Sequence, residues 1–398
     1  MKKLFNLFIV LCLVVVSSVC LVACGGKKTF KVGLICLHDE SSTYDKNFID
    51  SMYRALENLG LEESQLELVT GIGEDESCYQ KASELAQTCD IVFADSFGHE
   101  DYMIQAAKEN KDVWFCHSTG TKAHTAGLAN YYNAFASIYE GRYLAGIAAG
   151  MKLNEMIAAN EITAEQAIIG YVGAFDYAEV ISGYTSFFLG ARSVCPSATM
   201  KVRYTSSWYD FDKEKSAAEA LMQNDGCVLI SQHADSYGAP EACEKAGVPN
   251  VAYNGSTAAK CPNTYVVSSK IDWAPYYEYM IQAKMDGEEV SEKDYTGSLS
   301  TGSVKLDAVG SCAAAGTQAA IDAAAAQLKA GTLHVFDINT FTVDGQKVTS
   351  HLADVDDFGD FKGETEVIKD GYFHESEYRS APYFDLRIDG ITELNKAE

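Results

Sequence analysis

The chain has 398 residues, of which 31 are basic and 56 acidic, for a formal net charge of −25; 47% are hydrophobic and six are proline. That length exceeds what one core ordinarily serves and points to two lobes, and the composition is that of an ordered globular protein. An acidic surface of this size repels phosphate backbones and argues against a nucleic-acid partner.

The chain opens with Lys2 and Lys3, a mostly apolar run from Leu4 to Leu21, and small residues around Ala23. A basic start, an apolar stretch and a small-residue cut site read as a secretory signal; a retained membrane anchor is the alternative, since the run is long enough to cross a bilayer. Leu21-Val22-Ala23-Cys24 is similar to a bacterial lipobox. By that resemblance residues 1–23 are removed, Cys24 is lipidated, and residues 24–29 tether the folded part to the extracytoplasmic face of the cell membrane. Several acyl chains on one residue hold firmly where a single chain holds marginally. Nine cysteines follow Cys24, none in a C-x-x-C pair. Neither a zinc ribbon nor a thioredoxin motif is present, and Cys36, Cys89, Cys116 and Cys227 lie in or beside apolar runs as small core residues do. Mostly buried thiols are expected, with at most one unassigned disulfide.

From Phe30 onward strands and helices alternate. "FKVGLICL" predicts a strand and "DKNFIDSMYRALENLG" a helix, with Phe48, Met52, Ala55, Leu56 and Leu59 at helical spacing and Gly60 as its stop. "LELVTGI", "DIVFADS" and "DVWFCHS" are further strands, separated by helices in "SCYQKASELAQ" and "DYMIQAAKEN". After the glycine-rich helix "YEGRYLAGIAAGMKL" the pattern restarts. Strands fall in "AIIGYVGAF", "TMKVRYTSS", "GCVLISQ", "PNVAYNG" and "TYVVSSK", with helices in "AEVISGYTSFFLGARSV", "KEKSAAEALMQND" and "GAPEACEKAG". Alternation of this kind builds α/β lobes on doubly wound parallel sheets, and two in tandem on an exported chain suggest lobes joined by a hinge that close on a ligand. From about residue 300 an alanine-rich helix and a strand-and-turn segment complete the chain.

Enzyme signatures are mostly missing: the sequence holds no G-x-S-x-G, H-E-x-x-H or P-loop, and "GYVGAF" lacks dinucleotide spacing. "DVDDFGDF" approaches a calcium loop, but Phe358 and Thr365 stand where oxygen ligands belong, so an acidic surface turn is the reading and no metal or other cofactor is expected. Cys116 and His117 are adjacent on a strand, which sends their side chains to opposite faces. The strand carboxyl ends are more informative, because ligands of open α/β sheets bind there. They carry Tyr44 and Asp45 after the first strand, Ser96 and Phe97 after the third, and then Phe175, Trp208, His233, Asp235, Asn254, Asp272 and Trp273. An aromatic and a hydrogen-bonding side chain recur at these ends, a pairing that suits a flat ligand with polar edges, since ring stacking is worth about 1–3 kcal/mol per base.

The blocks "DKNF", "DIVFADSFG", "YEGRYLAGIAAG", "IGYVGAFDYAEVISGYTSFFLGARSVCP", "SSWYDFDKEKSAAEALMQNDGCVLISQHADS" and "DWAPYYEYM" resemble the basic membrane protein family of ABC-transporter substrate-binding lipoproteins, from about Phe30 to Thr332. "SFG", "GARSV", "SSW" and "QHADS" look most like its purine-binding branch. The resemblance implies a type I periplasmic-binding-protein fold, a purine sandwiched between aromatic rings, and a base edge held by Asp and Asn. It also implies ABC permease and ATPase partners in the membrane, and a chain acting as a monomer. The first lobe would comprise residues 30–132 and 269–298, and the second 133–268 and 299–398. Asp45 and Phe48 match the family's helix start, although Ile49 replaces its asparagine; Asn254 stands where aspartate is usual; and the lysine near a ribose is absent, with Ile271 nearest that slot and Lys270 one residue off. The missing lysine favours a nucleobase over a nucleoside.

On this reading Asp235 accepts from a ring N–H or an exocyclic amine, and His233 donates to a ring acceptor or braces Asp235. A loop cap packed away from ligand is the bland alternative. Two other functions are consistent with the elements. An extracellular nucleoside hydrolase would need a carboxylate–metal cluster and would release hypoxanthine from inosine, and a ligand-sensing module would associate with a signalling partner instead of a permease.

Overall fold

The computed structural model describes residues 29–355 and 363–396. Cys24, the signal segment, nearly all of the tether and most of the acidic turn lie outside the described residues. Residues 32–136 form five strands and three helices: β1 (Val32–Ile35), α1 (Thr43–Leu59), β2 (Leu66–Val69), α2 (Glu76–Leu85), β3 (Ile91–Ala94), α3 (Glu100–Glu109), β4 (Trp114–Ser118) and β5 (Tyr131–Ala136). The second lobe follows with α4 (Ile138–Ala158), β6 (Ile168–Gly173), α5 (Ala178–Val194), β7 (Thr199–Tyr204), α6 (Phe211–Gln223), β8 (Leu229–Gln232), α7 (Gly238–Ala246), β9 (Asn250–Tyr253) and β10 (Tyr265–Ile271). Then come α8 (Ala274–Asp286), β11 (Asp294–Gly297), β12 (Val304–Leu306), α9 (Thr317–Lys329) and β13 (Ile391–Glu393).

Local chemistry accounts for the element ends. Ser42 caps α1 by accepting from the Asp45 amide, and Gly60 closes it at φ 68°, a conformation that costs glycine little. The buried face of α1 carries Phe48, Met52, Ala55 and Leu56, as the spacing predicts. β1, β3, β8 and β9 are buried along their whole length, as strands covered by helices on both faces must be.

The first sheet has the order β11-β5-β4-β3-β1-β2 and the second β12-β10-β9-β8-β6-β7-β13. Every pairing is parallel except that of β12 with β10. These are the two doubly wound lobes expected. The chain crosses between them three times: after β5, after β10 and between β11 and β12. Two expected boundaries move as a result. Position 132/133 cuts β5, which pairs with β4 as far as Ala134 and with β11 as far as Ala136; residues 269–271 belong to β10 of the second sheet. Asn133 interrupts the apolar run of β5 and hides the strand in the sequence; its amide is bound by Gly120 beyond β4 and by Asp294 and Ser380.

The lobe-2 core rests on a close crossing of α4 and α5. A Cβ on Gly146 would lie 2.0 Å from the Phe187 carbonyl oxygen, and one on Gly190 would lie 2.0 Å from that of Tyr143. The nine cysteines after Cys24 are all unpaired and eight of them are buried, so the thiols serve as core residues. Gly146→Ala or Gly190→Ala should lower the unfolding free energy by about 2 kcal/mol or more, because the obstructing atoms are backbone and overpacking of this kind costs about 1–3 kcal/mol. Urea midpoints within error of the parent protein would show that the helices can separate without loss.

Candidate ligand-binding site

The carboxyl ends of both sheets face one another across a narrow cavity lined by residues of both lobes, the edge at which ligands of such sheets bind. Lobe 1 contributes Leu37 and His38 beyond β1, Tyr44 and Asp45 from α1, Ser96 and Phe97 beyond β3, and Thr119 beyond β4. Lobe 2 contributes Glu179 from the first turn of α5, Trp208 beyond β7, His233 and Asp235 beyond β8, and Tyr253 and Asn254 at the end of β9. The lobes touch: the Thr43 amide and hydroxyl both donate to the Asp235 carbonyl oxygen at 3.0 Å, and the rings of His38 and Tyr209 lie 5.1 Å apart.

The polar lining includes three carboxyl groups, those of Asp45, Glu179 and Asp235, and no lysine or arginine is among the lining residues. Asp45 accepts from the His38 amide at 2.7 Å and the Ser42 hydroxyl at 2.6 Å. Burial pushes its carboxyl up, but the bonds from His38 and Ser42 outweigh that and leave it below the ordinary range. Behind it, Asp95 is fully buried; burial first, and then the Asp45 charge, push its carboxyl well above the ordinary range. Across the cavity burial also raises Asp235, with Glu214 and Asp45 adding to the effect, while the Asn254 amide donates to Asp235 Oδ1 at 3.0 Å. Asn254 sits at φ 62°, a left-handed conformation that asparagine tolerates better than most residues. Glu179 occupies a helix N-terminus, where the dipole favours an anion.

His233 is spent on the protein. Its Nε2 stands 3.3 Å from Glu179 Oε1 and its Nδ1 3.4 Å from the Tyr171 hydroxyl. Burial, reinforced by the Arg142 guanidinium, holds the imidazole down to about 4, so at neutral pH the ring is uncharged. It donates from Nε2 to Glu179 and accepts from Tyr171 at Nδ1, bracing Glu179 where the sequence had suggested Asp235. Arg142 itself lies 3.4 Å from the Tyr253 ring centroid and donates to the Gln232 carbonyl oxygen at 3.1 Å.

Eight of the expected residues line the cavity: Tyr44, Asp45, Ser96, Phe97, Trp208, His233, Asp235 and Asn254. Three do not. Phe175 stands one ring back, edge-on to Trp208 at 5.1 Å and stacked on Tyr177. Asp272 is bound by Arg54 at 2.7 Å and Lys305 at 2.6 Å, fixing a crossover between lobes, and Trp273 is 2% exposed and stacks on Phe48 at 4.3 Å. An acid and an aromatic after a strand look the same in sequence whether the strand ends at a cleft or at a hinge. Ile271 is core, and Lys270 pairs with Asp307 at 2.6 Å, so neither reaches the cavity. Glu179, Tyr253 and Thr119 were not anticipated; Glu179 was legible as an acid in a helix first turn following a strand. One set of metal-capable atoms occurs among the described residues, from Cys36, Asp45 and Asp95, within 4.8 Å of one another. Both Asp45 oxygens are already hydrogen-bonded, and all three residues are buried.

As pH falls, the unfolded chain protonates His233 near 6.5 while the folded chain resists to about 4. The associated stability is complete above 6.5 and is lost as pH falls toward 4, by up to about 3 kcal/mol. His99, also held down to about 4 by burial, adds in the same direction. His233→Gln should therefore lose less stability than the parent between about pH 7 and 4.5 in urea titrations, and parallel losses would show that His233 is not a titrating group there.

The family of PnrA-like ABC transporter substrate-binding proteins, Bmp, matches residues 32–325. A purine-binding protein of Brucella abortus is 35% identical over 216 residues, covering 54% of this chain and 57% of that one. A candidate ABC-transporter glucose-binding protein of Haloferax volcanii is 34% identical over 218 residues, covering 55% and 51%. The chain thus spans about half the length of these curated relatives. A solute-binding protein of an ABC transporter from Conexibacter woesei superposes with a TM-score of 0.63 at 20% identity, covering 77% of this chain and 98% of the other. One from Aeropyrum pernix gives 0.64 at 13%, covering 77% and 93%. At these identities the likeness is one of fold, the type I periplasmic-binding-protein fold. The family is one of non-catalytic solute-binding proteins. The chain, by the match over most of its length, belongs to the Bmp family of ABC transporter substrate-binding proteins.

Proposed function

We propose that this chain captures a purine nucleobase between its lobes and delivers it to an ABC permease and ATPase, held to the outer face of the cell membrane by lipid on Cys24. The observation that carries the ligand class is the pairing of rings with hydrogen-bond acceptors. Trp208 and Phe97, one from each lobe, line the cavity together with Asp45, Glu179, Asp235 and Asn254. A lining rich in carboxyl oxygens and without a cation favours ligands with several N–H donors and disfavours anions. Nucleotides and urate are therefore poor candidates, while adenine and guanine present amino and ring N–H groups. The absence of Lys270 from the cavity leaves no cationic partner for a ribose and supports the base over the nucleoside. The Brucella relative's name points the same way.

A sugar is the second reading. Carboxylates facing a tryptophan also suit a ring of hydroxyl donors, and the Haloferax relative is described as glucose-binding. A thermal-shift screen with nucleobases, nucleosides, nucleotides, urate and hexoses separates the two. Binding to the native state alone stabilises by about 2.7 kcal/mol at a hundredfold excess over Kd, so a ligand should raise the midpoint by several degrees. Adenine or guanine should do so and adenosine monophosphate should not. A shift with hexoses alone would replace the purine reading by the sugar one.

Trp208 is only half-buried and packs on Phe175 and Tyr177 at the cavity wall. Trp208→Ala should weaken base binding at least tenfold, the loss of one stacking partner, while the ligand-free melting temperature stays within a few degrees. Unchanged affinity in calorimetry would place the stack elsewhere.

A further inference from the structure

The family match ends at residue 325, and the segment after α9 is more than an appendage to lobe 2. It is fixed to lobe 2 near both ends. Phe336 packs 5.4 Å from Tyr139, in the first turn of α4, and stacks on Phe384 at 4.2 Å; β13 then adds a parallel strand beside β7. Glu393 on that strand accepts from the Tyr184 and Tyr204 hydroxyls at 2.8 and 2.7 Å. Between these anchors the chain reaches across to lobe 1. There the buried carboxylate of Asp294, on β11, accepts from the Ser380 amide at 2.7 Å and from the Ser380 hydroxyl. It also accepts from Asn133 Nδ2 of β5 at 2.8 Å, and His124 Nε2 stands 3.2 Å away. The Asp294 side chain is only 3% exposed. Asn133 also binds both the amide and the carbonyl of Gly120, next to Thr119 of the cavity wall.

We infer that Ser380 and Asp294 form a clasp that holds the lobes closed and so sets ligand affinity from outside the cavity. The clasp spans the crossover between β5 and α4, with Asp294 and Asn133 on one side and Tyr139 on the other. Asp294 lies three residues before the end of β11, about 10 Å from the crossover at roughly 3.3 Å per residue. A rigid-body rotation of about 15°, the size of a known subunit switch, would carry a group at that distance by about 2.5 Å. That exceeds what a hydrogen bond of 2.7 Å tolerates. Opening the cleft must therefore break the clasp or drag the Phe336–Phe384 packing with it, and either cost falls on the open form alone. A ligand that binds the closed form gains from any contact that raises its population.

Small-angle scattering tests the clasp without any ligand. Asp294→Asn and the milder Ser380→Ala should each enlarge the radius of gyration of the ligand-free chain while circular dichroism stays that of the parent. A second arm rests on the purine reading: guanine or adenine should bind at least threefold more weakly to both variants, with faster dissociation, and saturation should restore the parent's compact radius. If both variants scatter as the parent does without ligand, the clasp does not hold the lobes and the inference fails, whatever binds in the cavity. If no base binds the parent, the scattering result alone decides.

Discussion

Carboxyl groups crowd the meeting point of the two lobes, and no lysine or arginine stands among the residues lining it. Much of the surrounding geometry comes from satisfying them. Asp45 is accommodated by a backbone amide and a serine hydroxyl at a helix cap. Asp235 receives the Asn254 amide on its carboxyl and Thr43 of the other lobe on its backbone carbonyl. Glu179 receives His233, which is itself held neutral by burial and oriented by Tyr171. Burying acids without cations disfavours their charged forms and leaves their oxygens in need of hydrogen-bond donors. A ligand supplying N–H donors relieves that cost, and an anion would increase it.

The fold serves this arrangement by pointing two sets of strand ends at one volume. Parallel sheets need helices on both faces, and each helix returns the chain to the same sheet edge. Loops from β1, β3, β4, β6, β7, β8 and β9 therefore converge, although they lie far apart in sequence. The glycine-lined crossing of α4 and α5 packs the two helix backbones closely directly beside a crossover. Asp272, gripped by Arg54 and Lys305, braces a second crossover. The clasp at Asp294 spans the first, between β5 and α4, beside which the third runs because β11 pairs with β5.

Phe48, Met52 and Leu56 at helical spacing, and the unbroken apolar runs of β1 and β3, were legible because they obey short-range patterning. Trp208, Asp235 and Asn254 were legible because ligand sites of such sheets lie at strand ends. Phe175, Asp272 and Trp273 obey the same rule and yet face a ring, two cations and the core. Glu179 was passed over because an acid opening a helix is also what capping alone would place there.

The sequence by itself determined the alternation of strands and helices, the two lobes, the family, and the set of strand ends from which a site could be drawn. Those features depend on residues within a few positions of one another, where backbone geometry and burial impose fixed periods. Only the tertiary structure decided which strand ends face the cavity, that His233 braces Glu179, that β5 and β10 end where they do, and that the segment after α9 returns to lobe 1. Each of these depends on contacts between residues dozens to hundreds of positions apart, such as Thr43 with Asp235 and Asp294 with Ser380, and no local period records them.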